Sequence, residues 1–251
     1  MKALNSAYIY DTKKKIGYIF NSEFRLYESI DKHYLINRSV NIIEDDIRPK
    51  LDSCPIDEIP IVPGKMLNCA TLEIRDRTPD DFVTYALPPP NFERNELDIV
   101  HNIMTVLCGG SPIILKQTLL DFISGKGSPY FVVTGPGWTY LKDNLSQLGP
   151  LVEIGNSKLF TEIYVRKKML EEVSAARIVL VDVGDKTIRQ VNWDYITDRS
   201  FPIQYRGIVY KPDCPSGYIL HDIPNGQTHI LAASALLGWI ISPDYRLRNI
   251  N

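Results

Sequence analysis

Between Tyr130 and Val183 the apolar pattern alternates between short buried runs and helical spacing, and this alternation constrains the fold more than any other feature of the chain. Tyr130–Thr134 reads as a buried strand, followed by the turn Gly135-Pro136-Gly137. Trp138, Leu141, Leu145 and Leu148 then recur at i, i+3, i+7 and i+10, a helical stripe stopped by Gly149. Leu151–Ile154 is a short strand. Asn156 or Ser157 can cap a second helix with Leu159, Ile163, Met169, Leu170 and Val173 on its apolar face. Arg177–Val183 closes the series as an apolar strand. Strand, helix, strand, helix, strand predicts a parallel α/β unit, because parallel neighbours need a crossover where antiparallel ones need only a turn. One alternative stays open: a Gly155-Asn156 turn can instead fold Val152–Val165 into a hairpin.

The regions on either side read differently. Ala7–Tyr10, Ile16–Phe20 and Phe24–Ser29 are short runs rich in Tyr, Ile and Phe, separated by the polar turns Asp11–Lys15 and Asn21–Glu23. They predict a meander of hairpins, with further extended stretches at His33–Ile43 and Cys69–Ile74. Ile59–Gly64, with two prolines, interrupts that regularity. Pro88-Pro89-Pro90 fixes φ three times and offers no donors, so it reads as a connector and as the boundary between a strand-rich region 1–90 and an α/β region 91–251. The alternative is that the two regions form one compact domain together. Past the prolines, Leu97–Cys108 carries a helical stripe that ends at Gly109-Gly110. A second helix runs from the cap Ser111, with Pro112 at its first position, to Gly125. Strands are expected again at Ile188–Trp193, Gly207–Tyr210 and Gly217–His221, and a helix from Thr228 to Ile241. That last helix is apolar nearly all round and is therefore expected to be buried. The predicted class is mixed α and β: a β-rich first part, an α/β unit, and a closing segment of strands and one helix.

Composition excludes little beyond unfolded and fibrous chains. The 251 residues are 44% hydrophobic and 23% charged, enough for a full core without disulfide or metal staples. A net charge of -2 gives no global basic footprint for nucleic acid or an anionic membrane. The balance conceals a local bias: residues 44–98 hold 13 acidic against 6 basic side chains. The four cysteines form no Cys-x-x-Cys pair, which reads as reduced cytosolic thiols and gives no zinc spacing, so no metal site is expected. The first residues turn polar before a signal-peptide core can form, and Ile230–Ile241, the longest apolar run, is far short of a membrane span. A cytoplasmic protein is the expectation.

Four sets of residues are candidates for function. Thr134, Gly135, Gly137 and Trp138 stand between a strand and a helix N-terminus, where free N–H groups and the helix dipole favour a phosphate or carboxylate. Against this, Pro136 removes a donor, and the loop has neither G-x-G-x-x-G nor G-K-[ST]. Asp182 and Asp185 follow the third predicted strand, at the end where open α/β sheets bind ligands, and either can serve a ribose, a metal or a proton transfer. Gly184-Asp185-Lys186 is also an ordinary turn. Cys214, His221, Asp222 and His229 have the chemistry of a nucleophilic or metal-binding set, if the fold brings them together. Glu44, Asp45, Asp46, Asp80 and Asp81 offer an acidic face for a basic partner. Isolated basic runs such as Lys13-Lys14-Lys15 lack the aromatic interleaving of a nucleic-acid platform.

No assembled catalytic set is legible. The first expectation is a non-catalytic protein-interaction module, of inhibitor, immunity or accessory-subunit type, with a protein partner. The second is an enzyme acting on a nucleotide or sugar phosphate at the Gly135–Gly137 helix N-terminus. Nucleic-acid binding comes third, disfavoured by charge. No cofactor follows from these residues.

Overall fold

The computed structural model describes residues 8–11, 16–30, 57–125, 130–156, 176–182, 203–205, 208–210, 216–222 and 230–243. The chain divides into two compact units, Met1–Ala86 and Leu87–Asn251. The class is mixed α and β, with small sheets first and the helices later. No helix among the described residues is long and apolar enough to cross a membrane.

The first unit is built from antiparallel hairpins. Strands β1 (Tyr8–Asp11), β2 (Ile16–Asn21) and β3 (Leu26–Ile30) form one meander. Strands β4 (Glu58–Ile61), β5 (Lys65–Asn68) and β6 (Ile74–Asp76) form another. Tyr27 is buried and takes Phe82 in a stacked contact at 5.9 Å and Phe20 edge-on at 5.3 Å. Its N–H donates to the carbonyl of Val83 at 2.8 Å, which extends the edge of β3. A second cluster joins buried Met66 and Val83 to Leu26 and Tyr85.

Three expectations here need correction. Cys69–Ile74 is not a strand: Asn68 Oδ1 accepts the N–H groups of Ala70 and Thr71, both at 2.9 Å, and Leu72 adopts φ 63°. A side chain that mimics the next carbonyl folds the chain into a turn before β6 can begin. The same device moves Phe24 out of its predicted strand. Asn21 Oδ1 accepts from Glu23 and Phe24, and Arg25 at φ 52° closes a four-residue hairpin loop. Ile59–Ile61, read as irregular, lies in β4 despite Pro60. Among the described residues that strand pairs only with β5, so a missing N–H is tolerated at the sheet edge.

The second unit is the α/β part. Helices α1 (Arg94–Leu107) and α2 (Ile113–Ile123) make the expected corner across Gly109, which has φ 63°. Pro112 is the N-cap of α2, so the helix starts one residue later than the sequence suggests. Strand β7 (Tyr130–Thr134) leads into α3 (Trp138–Leu145), and a 3-10 turn (Ser146–Leu151) leads into β8 (Val152–Asn156). Strand β9 (Ile178–Asp182), the pair β10 (Ile203–Tyr205) and β11 (Ile208–Tyr210), β12 (Ser216–Ile219) and α4 (Ala233–Ile241) complete it. Four strands form a parallel sheet in the order β12-β7-β9-β8. Gly155 and Asn156 pair with Val181 and Asp182 inside that sheet, so the parallel reading holds and the Gly-Asn hairpin is excluded.

The core sits where α4 meets α1, α2 and α3. Ala235 to Ile241 are buried without exception, as an apolar-all-round helix requires. The helix starts at Ala233 rather than Thr228. Residues 230–232 stay out of it, and the Leu231 N–H goes to Asn144 Oδ1 at 2.6 Å. Arg177 is also buried; it enters β9 with its guanidinium on the carbonyl of Ile123 and its N–H on that of Leu151. The predicted strands 33–43 and 188–193 and the predicted helix 157–173 lie outside the described residues.

Candidate functional site

All four strands of the parallel sheet point the same way, so their carboxyl ends share one edge. The chain leaves β7 for β8 on one side and leaves β9 for β12 on the other, although β7 and β9 are neighbours. That reversal makes the β7–β9 boundary the place where an open α/β sheet leaves a crevice. Register puts Val133 opposite Asp182 and Ile219 opposite Thr134. The structure therefore brings Thr134, Gly135 and the backbone of Asp182 to one rim, and adds the exit of β12, Leu220-His221-Asp222. Asp185, Cys214 and His229 lie outside the described residues.

The turn itself is short. Gly135, Pro136 and Gly137 alone separate β7 from α3, and Gly135 has φ +106°, open to glycine but strained for other residues. The Trp138 N–H donates to the Gly135 carbonyl at 3.2 Å and the Leu141 N–H to the Gly137 carbonyl at 3.1 Å. A side chain at Gly135 would run into the backbone of Leu220, and one at Gly137 into the His221 carbonyl and the Leu107 side chain. His221 is held in turn: its N–H donates to the Leu107 carbonyl at 2.9 Å, and its imidazole lies across the space that a side chain at Gly109 would need. The C-terminus of α1, the turn after β7 and the exit of β12 thus interlock through close contacts at three glycines.

That interlock changes what the glycines mean. Their missing side chains are needed for contacts within the chain, whereas a phosphate-cradling loop keeps that space for its ligand. Three residues also supply fewer successive N–H groups than G-x-x-x-x-G-K-[ST]. Pro136 is exposed, Gly137 is buried and Trp138 is half-buried, so solvent reaches the turn from the Pro136 side. Beside it, burial pushes the Cys108 thiol up to about 11, which leaves it protonated and poorly nucleophilic near neutral pH. Among the described residues no three His, Cys, Asp or Glu side chains are grouped to hold a metal ion.

The acidic candidates divide. Asp80 is exposed. Asp81 is buried and works inside the fold, taking Arg75 at 2.6 and 3.0 Å and the Thr78 N–H at 2.7 Å. Burial opposes its ionisation, but Arg75 and the Thr78 N–H outweigh it and hold the carboxyl below its usual range. Glu44, Asp45 and Asp46 lie outside the described residues.

Sequence reasoning passed over the feature that the first unit presents most openly. Phe24 is 56% exposed in the β2–β3 loop, and Val62 is 43% exposed in the β4–β5 turn. Their neighbours are tied together by Arg77, itself only 3% exposed. Arg77 Nη1 donates to the Arg25 carbonyl at 3.3 Å, and Nη2 donates to Ile61 at 2.8 Å and Lys65 at 3.0 Å. Around them Arg25 and Lys65 share Asp76, at 2.9 and 2.7 Å. Two apolar side chains thus stand on turns fixed by one guanidinium, with charges at their margin. The local signal was the Asn21-Ser22-Glu23 turn, which the structure continues through Phe24 and Arg25. No protein-family model matches the chain, and no curated protein is similar enough to register as a match.

Proposed function

We propose that this protein is a non-catalytic protein-interaction module, an accessory or inhibitory subunit, and that the paired hairpin turns of the first unit carry its docking face. The observation behind this reading is the exposure of Phe24 and Val62 on turns clamped by Arg77. An apolar anchor on a preorganised backbone, rimmed by charge, is the anatomy of an interface hot spot, because little entropy remains to be lost on binding. The filled space at Gly135 and Gly137 supports the same reading, since it gives those residues a purpose within the fold.

The test is capture of a stoichiometric protein partner from the native host by the full chain, repeated with the double variant Phe24→Ser, Val62→Ser. The expected result is a partner retained by the native sequence and lost by a variant with unchanged thermal stability. Equal retention by both would remove the hairpin turns from the proposal.

A second reading draws on the strand order: an enzyme acting on a nucleotide or sugar phosphate at the β7–β9 crevice, with Asp182 and His221 at its rim. Its ligand would approach past Pro136. A nucleoside triphosphate or sugar phosphate that raises the melting temperature of the protein, with the effect reduced in His221→Ala, would favour it over the first.

A further inference from the structure

The helical side of the second unit contains a polar cluster that the sheet rim does not use. Trp239 of α4 is fully buried. Its indole Nε1–H donates to His101 Nδ1 of α1 at 3.4 Å, and the two rings lie 6.4 Å apart at a tilt of 54°. Lys116 of α2 is 2% exposed, and its ammonium stands 5.7 Å from the centroid of the same indole. That ammonium donates to the Ser242 carbonyl at 2.6 Å, at the C-terminus of α4, where the helix dipole favours a cation. One indole is therefore shared by an imidazole on one helix and a buried cation on another.

The imidazole can accept at Nδ1 only while neutral, with its proton on Nε2. Protonation places hydrogen on both nitrogens, so Nδ1 and the indole N–H become two donors facing each other. It also adds a positive charge near Lys116, whose ammonium is fixed on Ser242 and buried. The charged groups acting on His101 include Lys116 from α2 and Asp98 from its own helix. Asp98 favours the protonated ring, but it is half-buried and 3.8 Å from Arg94. Burial first, and Lys116 second, hold His101 below the usual histidine range, with Asp98 opposing them.

We propose that His101 is an acid-sensitive latch between α1 and α4, closed on the Trp239 indole when neutral and opened by protonation. The latch lies about one and two-thirds turns before Leu107, whose carbonyl accepts from the His221 N–H at the sheet rim. The sign follows from linkage. The unfolded chain takes up its proton near pH 6.5, above the folded His101, so stability falls as pH drops from 6.5 through the folded value and is level below it.

The full-length protein tests this by a histidine Cε1–H titration in solution NMR, with the Trp239 indole N–H resonance followed in the same samples. His101 should titrate below about 6.5, and the Trp239 indole resonance should move with the same midpoint. In His101→Gln that indole shift should vanish, while in Lys116→Met the His101 midpoint should rise. A His101 midpoint at or above 6.5, an indole resonance that ignores the titration, or no rise in Lys116→Met would overturn the latch. The native-sequence titration stands by itself if either variant fails to fold.

Discussion

The turns of the two units use their backbones in opposite ways. After β7 the chain spends its two glycines on close contacts with the exit of β12, and nothing larger than hydrogen fits. In the first unit, Arg77 holds the carbonyls around two turns and leaves Phe24 and Val62 in water. The first arrangement closes a surface; the second displays one. The comparison teaches that a glycine-rich strand-to-helix turn is not by itself a binding loop, and that an unremarkable hairpin becomes a display surface once its frame is fixed.

The contrast breaks first at the glycines. Gly135→Ala or Gly137→Ala should cost about 3 kcal/mol or more, because the new methyl group meets backbone that cannot swing away. Denaturant unfolding measures this, and a loss under 1 kcal/mol would mean that the turn has room for a ligand after all. Next is Arg77→Met, which keeps the apolar stem but leaves three carbonyls without their donor. A loss of about 2 kcal/mol is expected, together with weaker partner capture, since the display depends on the clamp. Asp81→Asn should cost about 1 kcal/mol near neutral pH, modest because Arg75 is still 39% exposed and water screens the pair. The carboxyl is held below its usual range, so its contribution is present above about pH 4 and is lost as pH falls through the folded value. The variant should therefore show a flatter acid limb in stability measured between pH 5 and pH 2. The smallest effect belongs to Phe24→Ser, Val62→Ser: stability within about 0.5 kcal/mol of native, seen in the melting curve, with the effect confined to partner binding. A large stability loss there would make those side chains part of the core.

Much of the second unit was legible because its signals are local. Trp138, Leu141 and Leu145 set out α3 by spacing, although Leu148 falls in the 3-10 turn that follows, and the run Arg177–Val183 contains β9. The face of α1 read from Ile99, Val100, Ile103, Met104 and Leu107 is buried at four of those positions, while Ile99, at the margin of the stripe, is 50% exposed. What could not be read is pairing across long stretches of sequence. That β12 lies beside β7 depends on sheet assembly, and with it went the arrival of His221 at the rim and the contacts that consume Gly135 and Gly137. The errors in the first unit have another source. Asn68 and Asn21 each bend the chain with a side-chain oxygen, and apolar runs such as Cys69–Ile74 carry no trace of it in their periodicity. Asp81 shows the limit of reading charge from composition: a carboxylate counted as surface became an internal brace.

The stitching of the second unit also bears on the order in which it can form. The Asn91 N–H donates to the Ser234 carbonyl, and the Asn91 carbonyl lies where a side chain on Gly238 would be. Lys116 reaches Ser242. The beginning of the unit is therefore closed by nearly the last residues described. During synthesis from the N-terminus, α1 and α2 emerge long before the helix that covers them, with their apolar faces bare in the meantime. The hairpins of the first unit, whose contacts lie closer together in sequence, can settle early. A ribosome-bound chain halted before residue 233 should thus carry a protease-resistant first unit and a second unit still open to cleavage.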